Sequence, residues 1–143
     1  MNKIKNSKGF TLMEMLIVVA IIAVLVAIAI PTFTKSLNDA RVATDKANIR
    51  AGYASVMANV LTEQYVESKT AKTTAVFKLN KDGSVTEIKD GTATAENPYL
   101  TVGDNDGKAT EIAGITIADG WGKGEGVTYT YTFASGKVTI AVG

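Results

Sequence analysis

The sequence predicts an α+β fold, with a long N-terminal helix packed on a small antiparallel β-sheet. Three observations predict it. Residues 15–30 carry no polar side chain. From Thr32 to about Ser68 apolar residues recur at helical spacing with no further proline. After Lys69 the pattern changes to short alternating runs separated by Gly, Asn and Asp, the mark of strands and tight turns.

The first half of the helix runs from Phe10 to Ile30. Those 21 residues, at a rise of ~1.5 Å each, reach roughly 30 Å, the thickness of a bilayer's hydrocarbon layer. The segment therefore reads as a membrane-spanning helix, and Lys3, Lys5 and Lys8 ahead of it hold that end on the cytoplasmic side. Pro31 removes one backbone hydrogen bond and crowds the carbonyl of Ala27, so a kink or a loosened turn is expected there.

The second half, 31–69, is amphipathic in an unusual way. On a helical wheel Val42, Ile49, Tyr53, Val56 and Val60 form one apolar stripe. Ala40, Ala43, Ala47, Ala51, Ala54 and Ala58, with Leu61 and Tyr65, form another on nearly the opposite side. Arg41, Asn48, Ser55 and Asn59 separate them on one flank, and Asp39, Lys46 and Arg50 on the other. The bulky stripe suits the chain's own later residues. The alanine stripe suits close approach of a second helix, although alanine also fills exposed positions simply as the best helix former. Gly52 is the weak point of the segment.

Residues 70–143 read as a β-rich headgroup. Runs 74–79 and 84–89 flank Asn80-Lys81-Asp82-Gly83, a hairpin signal, and runs 127–134 and 137–142 flank Ser135-Gly136, a stronger one. Residues 99–102 and 110–118 are weaker strand candidates. A sheet this small needs its apolar face covered, and the bulky helix stripe is the expected cover.

Composition narrows function. The chain has 143 residues, no cysteine and no histidine, which excludes disulfides, thiolate and imidazole catalysis, lipoprotein anchoring and the usual zinc ligands. No catalytic group is recognisable, and neither an enzymatic role nor a cofactor is expected. Net charge is +1 and becomes −2 if the chain begins at Phe10, so no electrostatic footprint for nucleic acid is present. Asp104-Asn105-Asp106-Gly107 has the alternating acids of a calcium loop. It lacks the rest of the twelve-residue pattern, and a plain turn is preferred, leaving Asp104 and Asp106 as a weak calcium candidate. Trp121, among glycines, is expected to anchor a loop onto the sheet.

The most informative residue is Glu14, a lone carboxylate within the apolar run. An unpaired charge there costs about 2.5–3.5 kcal/mol on insertion scales, and no partner for it lies within the run. Cleavage between Gly9 and Phe10 would create an α-amino group four residues away. At 4 Å and an effective dielectric near 20 such a pair attracts by roughly 4 kcal/mol. Within one helix the pair is weak; between neighbouring helices it would set register.

Lys8-Gly9-Phe10-Thr11-Leu12, followed by Glu14 and an apolar helix ending at Pro31, resembles the N-terminal signature of type IV pilins. The resemblance is close over residues 8–35, and the plan of long helix plus small sheet extends it, giving a pilin-like fold. It implies that a prepilin peptidase removes residues 1–9, cutting between Gly9 and Phe10, and N-methylates Phe10. It further implies that Glu14 pairs with the N-terminus of an adjacent subunit, in a homopolymer raised by an assembly platform and ATPase. Residues 10–30 would be single-pass in the cytoplasmic membrane before assembly and form the core of an extracellular filament after it, serving adhesion, twitching motility or DNA uptake.

Two departures stand out. Ala23 occupies a position where many pilins have a glycine that helps the helix melt before Pro31, and the disulfide-closed C-terminal loop of many pilins is impossible here. The nearest alternative is a pseudopilin of a type II secretion system, whose loop Asp119-Gly120-Trp121-Gly122 faintly resembles, with Gly120 in place of a proline. A remote one is a secreted or anchored small β-rich domain, with Ala27-Ile28-Ala29 as an ordinary signal cleavage site.

Overall fold

A computed structural model describes residues 9–62, 73–88 and 97–143. Helix α1 spans Leu12–Leu61. Strands β1 (Thr74–Leu79), β2 (Val85–Ile88), β5 (Val127–Thr132) and β6 (Lys137–Val142) form an antiparallel sheet in the order β2-β1-β5-β6. Strands β3 (Thr110–Ile112) and β4 (Ile115–Ile117) form a separate two-stranded sheet. Contacts divide the chain between Leu37 and Asn38.

From Gly9 to Leu37 every side chain is exposed. The helix here is long and apolar enough to cross a membrane. It continues through Pro31, so the proline, where a kink or loosened turn is expected, does not end the helix. Hydroxyls flank the proline: Thr32 Oγ1 donates to Ile28 O at 3.2 Å and Thr34 Oγ1 to Ile30 O at 2.9 Å. Such back-bonding adds hydrogen bonds in the turn where Pro31 supplies no N–H.

From Asn38 onward α1 buries Val42, Asp45, Ile49, Gly52, Val56 and Val60, a spacing of three and four residues that keeps them on one face. They meet the apolar face of the large sheet. Alternation places Ala75, Phe77 and Leu79 of β1, Val127 and Tyr129 of β5, and Val138 and Ile140 of β6 on that face, all buried. Register sets Phe77 opposite Tyr129 and Tyr129 opposite Ile140, forming one cross-strand row. The predicted bulky stripe is thus the cover of the sheet.

Gly52 is where helix and sheet come closest. A Cβ there would overlap Tyr129 Oη and lie 2.6 Å from Leu79 Cδ1, and the Tyr129 hydroxyl donates to the helix carbonyl of Ile49 at 2.7 Å. The glycine expected to weaken the helix instead admits the tyrosine that ties the helix to the sheet.

Both hairpins form. β1 pairs with β2 from Leu79 opposite Val85, and β5 pairs with β6 from Thr132 opposite Lys137. Phe133 and Ala134, expected at the end of a strand, belong to the connecting turn. Residues 99–102 contribute only an isolated bridge, Leu100 with Gly126. The run 110–118 is a hairpin rather than one strand, because Ala113 and Gly114 both take positive φ (52° and 78°), the geometry of a tight two-residue turn. The helix stops at Leu61 with Thr62 in a bend. The rest of its expected extension, including Tyr65 and the boundary at Lys69, lies outside the described residues, as does Lys89.

Candidate assembly site

Helix α1 begins at Leu12 because Thr11 and Glu14 form a reciprocal cap. The Thr11 amide and hydroxyl donate to Glu14 Oε2 at 2.8 and 2.9 Å, and Glu14 N donates to Thr11 Oγ1 at 3.3 Å. This is the capping box T-x-x-E, which satisfies otherwise orphaned amides at a helix start. The expectation that Glu14 has no partner within the apolar run therefore needs correction: its partner is Thr11, a polar residue three positions away. Gly9 and Phe10 precede the helix, and Phe10 is 80% exposed. The Gly9–Phe10 peptide bond, the Glu14 carboxylate and the apolar face beyond it thus occur together on an uncovered stretch of chain.

A second carboxylate escaped sequence reasoning. Asp45 is fully buried and accepts hydrogen bonds from four neutral donors, the Val102 amide being shared between its two oxygens. Tyr99 Oη donates to Oδ1 at 2.6 Å, Val102 N to Oδ1 at 2.9 Å, Gly103 N to Oδ2 at 2.8 Å, and Trp121 Nε1 to Oδ2 at 3.1 Å. A buried charge is tolerable when its lone pairs are filled in this way. Burial and the bond to Asp45 push the Tyr99 phenol up to about 12. Trp121, expected to anchor its loop onto the sheet, is 1% exposed within the core that helix and sheet share, and it is also bonded to the helix through this carboxylate.

The Asp45 bonds hold an extended strap across α1. Burial alternates along it: Tyr99, Thr101, Gly103 and Asn105 face inward, while Leu100, Val102, Asp104 and Asp106 face outward. Gly103 passes so close that a Cβ would lie 2.7 Å from Val42 Cγ2. Asn38 fixes the next residue from both sides, its Nδ2 donating to Asp104 O at 2.8 Å and its Oδ1 accepting from Asp104 N at 2.9 Å. Asp104 and Asp106 are exposed, and Asp104 Oδ1 accepts from Asp106 N at 3.2 Å, closing an Asx turn. Among the described residues no group of three or more His, Cys, Asp or Glu side chains comes together.

Comparison with known proteins agrees with this arrangement. The family model described as the prokaryotic N-terminal methylation motif matches residues 4–30. A fimbrial protein of Pseudomonas aeruginosa is 34% identical over 126 residues, covering 80% of each chain. The chain belongs to the type IV pilins. The type IV narrow pilus major component PilA5 of Thermus thermophilus is 49% identical over 52 residues, 34% of this pilin and 45% of that protein. The type IV major pilin protein PilA of Myxococcus xanthus is 48% identical over 48 residues, 34% of this pilin and 22% of that protein. The matches to these two span less than half the relative's own length. No solved structure matches the pilin significantly. As a type IV pilin the protein is structural, and relatives named as pilus components favour a pilus subunit over a pseudopilin.

Proposed function

We propose that this pilin is stored in the membrane and polymerises into an extracellular pilus through its N-terminal helix. Residues 1–9 are a leader; a prepilin peptidase cuts between Gly9 and Phe10 and N-methylates the new terminus. The segment 10–30 then crosses the cytoplasmic membrane once, with residues 31–69 and the headgroup 70–143 beyond it. An assembly platform and ATPase extract the subunit, and its helix exchanges lipid for the helices of other copies.

The single observation that carries this reading is Glu14 at the start of an uncovered apolar helix, hydrogen-bonded by Thr11 alone among the described residues. The Thr11 bonds supply a neutral partner that lets the carboxylate reside in the bilayer. Lipid is as apolar as leucine, so exchanging it for helices gains little hydrophobic energy. Direction and register must come from polar groups. Pairing of Glu14 with the Phe10 amine of a neighbouring subunit supplies both, and methylation leaves that amine charged. Pro31 ends the membrane segment and is the position at which the packed helix can adjust. No catalytic role is assigned to the protein.

The test is the mass and N-terminal sequence of the mature protein taken from the cells that make it, with electron microscopy of material sheared from their surface. An N-methylated Phe10 in filaments is expected. An N-terminus at Ile30, following cleavage after Ala29, would make the apolar run a discarded signal and end the polymer reading.

A further inference from the structure

We infer that the outward row of the 99–106 strap docks on the exposed face of α1 in a second copy of the chain, making a head-to-tail contact between headgroups. The inference rests on the polymer reading above and names the partner surfaces that reading leaves open.

Among the described residues from Asn38 onward, the large apolar side chains left exposed are Leu61, Leu100 and Val102. Two of these stand in one row, followed by Asp104 and Asp106. The row is pre-organised, because Asp45 holds the Val102 and Gly103 amides and Asn38 holds both backbone groups of Asp104. A surface already fixed loses little conformational entropy on binding.

The opposite surface is the α1 face turned away from the sheet. Ala43, Ala47, Ala51 and Ala54 are all exposed there, giving a shallow apolar track that bulky side chains can enter. Lys46 and Arg50, also exposed, border it. Charge favours the match. Exposed residues of α1 from Asn38 to Leu61 sum to +2 (Asp39 against Arg41, Lys46 and Arg50), and residues 97–126 sum to −3. Spacing favours it as well. Lys46 and Arg50, one helical turn apart, are separated by ~6 Å along the axis, while Asp104 and Asp106, two residues apart, are separated by at most ~7 Å. Leu100 and Val102 would sit on the alanines while the two acids meet the two bases. Because the two surfaces differ, each copy offers one and accepts the other, and such a contact propagates into a filament unless a rotation closes it.

The absence of cysteine makes the contact directly testable. The double variant Ala47→Cys with Val102→Cys, oxidised in sheared filaments, should give a ladder of covalent multimers, and Ala47→Cys with Thr139→Cys should not. Filaments of the first variant that yield no ladder, or equal ladders from both, would overturn the contact. Absence of filaments from the native chain would instead overturn the polymer reading itself. Charge exchange gives an independent readout. Lys46→Glu with Arg50→Glu should cut filament yield about tenfold or more while mature pilin stays in the membrane with Trp121 buried, and adding Asp104→Lys with Asp106→Lys should restore it. A folded fourfold variant that stays without filaments would count against the pairing.

Discussion

Replacing Asp45 by alanine tests the assignment of the headgroup's polar hub. Of the four donors that converge on this carboxylate, Tyr99 Oη, Gly103 N and Trp121 Nε1 make buried hydrogen bonds, so bulk water does not reach them in the native fold. Each orphaned donor costs about 1–3 kcal/mol, and with partial relaxation the expected total is about 3–5 kcal/mol. Asparagine should be nearly as damaging. Its single carbonyl can serve one side of the site, but its amide would then face donors on the other. The assay is urea unfolding of the full pilin in detergent, followed by the fluorescence of its single tryptophan, which is 1% exposed in the native fold. With a slope near 2 kcal/mol per molar urea, the midpoint should fall by about 2 M. A shift below about 0.5 M with unchanged native emission would refute the claim that Asp45 holds the strap and the Trp121 loop on the helix.

Other outcomes follow from the same geometry. Glu14→Gln should leave cleavage after Gly9 intact and abolish or slow filament assembly, read by the mature mass and by sheared-fibre yield; normal fibres from this variant would sink the pairing mechanism. Gly52→Ala should destabilise the pilin by about 1–3 kcal/mol in the same urea assay despite alanine's higher helix propensity, because its methyl group meets Tyr129 and Leu79. Stability should also fall in alkali. Burial raises the phenols of Tyr99, to about 12, and Tyr129 above the ordinary value of 10.0. Their contribution is complete below pH 10.0 and is lost as pH rises from there toward 12. A urea midpoint that stays flat from pH 9 to 11.5, or ultraviolet titration of all five tyrosines near pH 10, would contradict this.

Much of the fold was legible because period alone carried it. The apolar run, the two outer hairpins and the Val42-to-Val60 stripe are local patterns, and the helix covers the sheet as a single exposed apolar face requires. What stayed hidden depended on contacts far apart in sequence. Asp45 lies three residues after Val42 and four before Ile49, in register with the buried face. An acid in that register is a signal in itself, but its partners, 54 to 76 residues away, carry no local pattern. Gly52 is ambiguous for the same reason, since a helix-breaking tendency and a close packing point look identical until Tyr129 is placed. The turn at Ala113 was obscured because alanine rarely adopts positive φ. Thr11 was a miss of another kind. Its T-x-x-E pattern with Glu14 is local, but it offers the carboxylate a hydroxyl and an amide rather than an opposite charge.

The strand order bears on when the headgroup can form during synthesis. β1 is central in its sheet, yet one of its two neighbours, β5, is made late; Phe77 faces Tyr129, about 50 residues further on. Until Val127–Thr132 emerges, β1 can pair only with β2. Its other edge then stands open, with Phe77 and Leu79 in reach of any neighbouring chain. A nascent pilin already anchored by its first helix would concentrate such edges in one plane, where they could pair with each other. Swift arrival of the β5–β6 hairpin therefore closes the sheet and also protects the population of waiting subunits from tangling before a filament exists.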